Sequence, residues 1–158
     1  MVETDDDRPL DGMTVAVTRA VEQAPELTER LVRLGATPID IPTIAIEDPV
    51  DGGAALRTTL ATLQGGDWLV VTSPNGASRV AAAFEEVGRP EGVRVAAIGP
   101  GTTATLVERD LPPDLVPERA VAEDLLAAFG RPAAGAPRRV VIARAEVGRD
   151  VLPDGLTD

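Results

Sequence analysis

The sequence contains no cysteine, histidine or tyrosine, and every one of its 15 basic residues is arginine. Without cysteine there are no disulfides and no thiolate nucleophile. With histidine also missing, Cys/His zinc sites and histidine-dependent triads are excluded. The lack of lysine removes Schiff-base and lysine general-base chemistry, whereas arginine offers planar, two-point recognition of carboxylates. Aromatics are nearly absent, with Trp68, Phe84 and Phe129 the whole set. A core must therefore be built from Val, Leu, Ile and Ala, the usual filling between a parallel sheet and its helices, which favours an α/β fold over a β-sandwich.

Long apolar runs are also missing. Nothing approaches the roughly 18 residues of a membrane span. The N-terminus Met1-Val2-Glu3-Thr4-Asp5-Asp6-Asp7 is acidic where a signal peptide is basic and then apolar, so residues 1–7 read as a solvated acidic tail and the protein as cytoplasmic. A formal charge of -11 argues against nucleic acid or an anionic membrane as partner, because both need a net positive face, although a local basic pocket is compatible with it. The 158 residues, 44% hydrophobic, suit one compact domain or an incomplete pair.

What is present is a repeating strand-to-helix pattern. Strands are predicted at residues 13–17, 37–42, 67–71, 94–98 and 139–143, with a short one near 114–117. Helices are predicted at 23–34, 53–63, 77–87, 103–109 and 122–129, and another begins near Arg149. Gly35 is the C-terminal stop of the first helix, which carries Leu27, Leu31 and Leu34 on one face. Residues 44–51 alternate apolar and polar, as a short exposed strand or an inter-domain linker does. This order predicts doubly wound parallel sheets with right-handed crossovers. In such sheets ligands lie beyond the carboxyl ends of the strands, which makes Thr18, Arg19, Thr72, Ser73, residues 99–102 and Arg144 candidate site residues.

Each loop has an ordinary reading beside the functional one. Residues 99–104 formally match G-x-G-x-x-A, a dinucleotide-binding turn, but they lie mid-chain and Pro100 removes an amide that a phosphate would use. A tight turn or a carboxylate site at a helix N-terminus fits as well, with Thr102 as N-cap, ligand contact or both. Thr72, Ser73, Pro74 and Asn75 read equally as helix capping or as an anion-binding turn. Arg144 has a salt bridge to Glu146 as its ordinary account and carboxylate binding as the sharper one. Arg79, inside a helix, reads as a solvated surface residue.

Taken in order, the loops resemble the uroporphyrinogen-III synthase family over nearly the whole chain, from Val15 to Leu156. The matching pieces are Val17-Thr18-Arg19, Leu34-Gly35-Ala36 leading to Ile41-Pro42, Trp68-Leu69-Val70-Val71-Thr72-Ser73-Pro74-Asn75-Gly76, Ala97-Ile98-Gly99-Pro100-Gly101-Thr102-Thr103-Ala104, Leu115-Val116-Pro117 with Ala122-Glu123-Asp124-Leu125-Leu126, and Ala143-Arg144-Ala145-Glu146-Val147-Gly148-Arg149-Asp150-Val151-Leu152-Pro153. Each is short and permissive alone, and their order and spacing carry the resemblance.

The resemblance implies two α/β domains joined by extended strands. On that plan residues 8–40 begin the first domain, 41–51 are the linker and 52–158 form a nearly complete second domain. Family members continue for roughly 90 to 100 further residues, an expectation that treats this chain as C-terminally truncated. The implied activity is a cyclising lyase that converts hydroxymethylbilane to uroporphyrinogen III with inversion of ring D, without cofactor or metal and as a monomer. The fragment alone is expected to be inactive, because the family's usual tyrosine lies beyond Asp158. By the same resemblance Thr102 contacts the leaving hydroxyl or a substrate carboxylate, and Ser73 is a cleft serine. Thr18, Arg19, Thr72, Pro74, Asn75, Gly99, Gly101, Thr103 and Arg144 are further substrate contacts. The other readings are a non-catalytic tetrapyrrole-binding or regulatory module, and a nucleotide-binding α/β enzyme using residues 99–104.

Overall fold

The strongest strand in the chain is the run Trp68-Leu69-Val70-Val71, buried along its whole length, and the larger part of the molecule is arranged around it. The computed structural model describes residues 8–129, 139–145 and 150–157. The expectations for the tail at 1–7 and for Glu146 and Arg149 lie outside those residues. By its internal contacts the chain forms two compact units, Met1–Pro49 and Val50–Asp158.

In the first unit, β1 (Thr14–Val17) pairs in parallel with β2 (Thr37–Asp40), and α1 (Pro25–Arg33) forms the crossover after a 3-10 turn at Val21–Gln23. Gly35 ends α1 as predicted, for two reasons. Its φ of +96° is the left-handed conformation that glycine adopts without penalty. Its N–H and that of Ala36 donate back to the carbonyls of Val32 and Leu31, both at 3.0 Å, the Schellman arrangement. Leu31 is buried with Val17, Ala24 and Ala36, and Leu10, Val15 and Leu27 pack against them. The large apolar residues left exposed among the described residues of this unit are Met13, Val21, Val32, Ile39, Ile41 and Ile44.

In the second unit, β3 (Trp68–Val71) is the middle of a three-stranded parallel sheet, flanked by β4 (Arg94–Ala97) and β5 (Val140–Ala143). The strand predicted near 114–117 is reduced to one bridge, Leu115 against Ala96 on the outer side of β4. The pleat sends alternate residues to opposite faces. Leu69, Val71, Val95 and Ala97 pack on one side with Leu60 of α2 (Ala54–Ala61), Val80 and Phe84 of α3 (Pro74–Val87) and Leu106 of α4 (Pro100–Glu108). Trp68, Val70 and Ala96 pack on the other side with Leu125 of α5 (Ala122–Phe129) and Leu152 of α6 (Val151–Thr157). The sheet is thus covered on both faces, which explains why β3 is a continuous apolar run instead of an alternating one.

Two local expectations are corrected. α3 begins at Pro74 rather than at 77, and α4 at Pro100 rather than at 103. In both, the proline is the first helical residue, where its fixed φ suits the helix and its missing N–H costs nothing. Of the two readings of the alternation at 44–51, a short strand or a linker, the strand does not form.

Candidate functional site at the strand ends

The chain leaves β3 for β4 on one side, continues outward to Leu115, and then returns across the sheet to β5 on the other side of β3. The strand order therefore reverses at β3, and a doubly wound sheet opens its crevice at the carboxyl ends around such a point. The loops after β3, β4 and β5 all end there.

After β3, the Thr72 hydroxyl is 3.4 Å from the carbonyl of Ala143, in reach of a long hydrogen bond that ties this loop to the end of β5. Ser73 is extended, and its Oγ accepts the N–H of Gly76 at 3.1 Å, capping α3. Pro74 occupies the first helical position and Asn75 the second, half-buried. Gly76 was not singled out from sequence, yet a Cβ there would lie 3.2 Å from Ser73 Oγ and 3.6 Å from the Ala143 carbonyl. The signal was legible: a serine and a proline followed two residues later by glycine is a capped helix start that passes close to another strand.

After β4, Gly99 is the N-cap of α4, with φ +82° and a Cβ position only 3.1 Å from the Ala120 Cβ. Its carbonyl accepts both the N–H and the hydroxyl of Thr103, at 3.1 and 3.0 Å. Thr102 is therefore not the cap. It sits at the third position of α4 and is only 2% exposed. Gly101 faces Pro74, whose Cγ would be 3.4 Å from a Cβ at that position. The loops after β3 and β4 are thus in contact, and the N-termini of a 14-residue and a 9-residue helix open side by side.

After β5, Arg144 donates through Nη2 to Asp150 Oδ1 at 2.7 Å. Thr72, Ser73, Pro74, Gly101 and Arg144 are therefore linked by contacts or by adjacent residues. Thr18 and Arg19 belong to the other unit, at the end of β1, where both are exposed and the Thr18 carbonyl accepts the Thr43 hydroxyl at 3.1 Å.

Among the described residues three ionisations are clearly perturbed, those of Asp51, Arg119 and Asp124. The N–H groups of Ala55 and Gly53 hold the Asp51 carboxyl below its ordinary value at the start of α2. Hydrogen bonding to Asp124 raises Arg119, and the same contact lowers Asp124; the two are joined by a two-point pair at 2.6 and 2.8 Å. Among the described residues no group of three or more acidic side chains is placed to hold a metal ion.

The family model for uroporphyrinogen-III synthase HemD matches residues 25–158. The chain belongs to the uroporphyrinogen-III synthase family. A uroporphyrinogen-III synthase from Synechococcus elongatus is 30% identical over 145 residues, covering 90% of this chain and 54% of the relative. A porphyrin biosynthesis protein HemD from Ruminiclostridium josui is 29% identical over 115 residues, covering 70% of this chain and 23% of that protein. Two crystal structures of the Thermus thermophilus uroporphyrinogen III synthase, a mutant and the wild type, share the fold with TM-scores of 0.66 and 0.57 at 21% and 20% identity. Each match covers 92% of this chain and 57% of the other. The chain thus spans about half the length of the uroporphyrinogen-III synthases it matches.

Proposed function

We propose that these residues supply one wall of a uroporphyrinogen-III synthase site, which binds hydroxymethylbilane and directs its closure to uroporphyrinogen III. The observation that carries this reading is the convergence of three strand-end loops, with Thr102 in the first turn of α4 beside them. Such a wall suits a ligand with many carboxylates. Two helix N-termini and the hydroxyls of Thr72 and Ser73 give dispersed donors, and Arg144 adds a positive charge, so an acidic chain holds an acidic substrate without a large basic patch.

The chemistry requires little else from the protein. Loss of hydroxide from the hydroxymethyl group leaves an electrophilic azafulvene, and the pyrrole carbons are themselves nucleophiles. The protein must favour attack at the substituted carbon of ring D, through a spiro intermediate, over direct closure, and it does so by positioning. Thr102 donates to the departing hydroxyl or a neighbouring carboxylate. Ser73, Pro74, Asn75, Gly99, Gly101 and Thr103 shape the wall, and Thr18 and Arg19 are separate contacts in their own unit.

Residues 8–40 are the start of a first domain, 41–51 a linker and 52–158 the second domain, a division supported by the two compact units. The protein acts as a monomeric cytoplasmic lyase without cofactor, and this chain alone binds the tetrapyrrole without isomer control. The nucleotide reading is disfavoured because Pro74 stands where a pyrophosphate would have to approach Gly101.

The test is to incubate hydroxymethylbilane with the chain and with the chain extended to its relatives' length, and to separate the uroporphyrin isomers after oxidation. The extended protein is expected to give isomer III and the chain alone isomer I. Isomer I from both would overturn the proposed activity, and isomer III from the chain alone would overturn the one-wall reading.

A further inference from the structure

Most of the described arginines have a partner. Arg8, Arg57, Arg89, Arg109, Arg119, Arg139 and Arg144 make ion pairs with carboxylates, and Arg94 lies over the Trp68 ring at 4.8 Å. Arg30 and Arg33 differ. Both are exposed in the last turn of α1, and neither pairs with a described carboxylate. Glu26 and Glu29 each precede one of them by four residues, the spacing at which such a pair ordinarily forms. Arg30 and Arg33 line an open depression of about 370 Å³ together with Glu26 and Leu34. Two cations against one carboxylate leave it positive, in a chain whose net charge is -11.

The N-terminal segment begins beside this depression. The Leu10 N–H donates to the Leu34 carbonyl at 2.9 Å. Arg8 packs against the following turn, its Cβ 3.2 Å from where a Cβ on Gly35 would lie. The residues before Arg8 include Glu3, Asp5, Asp6 and Asp7 and no basic side chain. Five residues of extended chain reach at most about 17 Å, roughly three turns of helix, so the last turn of α1 is within range of these carboxylates.

We propose that the depression is the docking place of the chain's own acidic N-terminal segment, with carboxylates from residues 3–7 seated on Arg30 and Arg33. The segment is thereby held against α1 instead of being only solvated. Each guanidinium presents a planar fork that suits a carboxylate. The carbonyl end of α1 favours cations and keeps the two arginines in place. Exposed ion pairs are individually weak. Here the segment is tethered next to its site, and a short tether supplies an effective concentration on the order of millimolar, so weak pairs suffice. Docking gives the two arginines a counter-charge and clasps the entry to β1 onto the end of α1.

The test uses the full chain. It has no cysteine, so Val2→Cys accepts a nitroxide label at a single position, and amide NMR signals along α1 are compared with the label oxidised and reduced. Signal loss is expected at Arg30, Arg33 and Leu34 in low salt. Tethering alone brings the label near, so the deciding comparison removes charge. Arg30→Gln/Arg33→Gln and Asp5→Asn/Asp6→Asn/Asp7→Asn are each expected to reduce the loss by about two-fold or more. The same is expected in about 0.5 M sodium chloride, where the screening length is roughly 4 Å. The dispersion of the same spectra reports whether the first unit remains folded. Losses that are absent in the parent, or unchanged by both sets of substitutions, overturn the docking. Tripolyphosphate that shifts these amides equally in the parent and in the Asp5→Asn/Asp6→Asn/Asp7→Asn chain also overturns it, because the depression then serves free anions and not the segment.

Discussion

Thr102 illustrates how far a single side chain can be read. From sequence it was equally a cap or a ligand contact; the structure gives the cap to Gly99 and leaves the threonine buried at the third position of α4. Thr102→Val keeps the shape and removes the hydroxyl. In the full-length enzyme it is expected to fold normally and to lower the yield of isomer III, and undiminished turnover would remove Thr102 from the mechanism. Ser73 has a measurable structural role as well. Ser73→Ala leaves the Gly76 N–H without its acceptor and should lower stability by about 1 kcal/mol in urea unfolding. Asp51 gives a pH prediction. Its carboxyl is held below the ordinary 3.8 by two backbone N–H groups, so its contribution is fully present above that value and is lost as the pH falls through the depressed one. Asp51→Asn should therefore flatten the acid limb of the stability profile below about pH 4 while leaving its neutral shape unchanged.

At the scale of elements, the periodic segments were legible and the boundaries beside proline were not. The apolar run at β3, the leucine face of α1 and the glycine that ends it were all evident in the sequence, and α5 spans the predicted residues. The starts of α3 and α4 were placed three residues late because Pro74 and Pro100 were counted with the loops, although proline is at home in the first helical turn. The alternation at 44–49 gave a strand pattern without a strand, since pairing depends on a neighbour that local sequence does not specify. Contacts between distant loops were equally invisible. No spacing rule brings Pro74 to Gly101; that meeting follows from the pairing of β3 with β4. Because β3 is shared by both apolar layers, Leu69→Ala should cost about 2–5 kcal/mol in chemical denaturation, well above any surface change. Gly35→Ala should also destabilise, through the positive φ and a Cβ only 3.0 Å from the Asp11 nitrogen.

For the whole molecule, the division at Pro49 and Val50 has a direct test. Two of the three apolar clusters lie in the second unit. A chain of residues 50–158 is expected to unfold cooperatively, with Trp68 fluorescence reporting the same transition as in the full chain. Loss of that transition would show that the second unit needs the first.

The meeting of Pro74 and Gly101 bears on what happens when a ligand arrives. Both strand-to-helix turns begin on a ring-locked residue, and they brace each other through that contact. A loose loop surrenders conformational entropy at the moment of capture; these turns surrendered theirs when the chain folded. Association with this wall should accordingly be governed by encounter, without a slow ordering phase, and its selectivity should come from a shape already set in the empty protein.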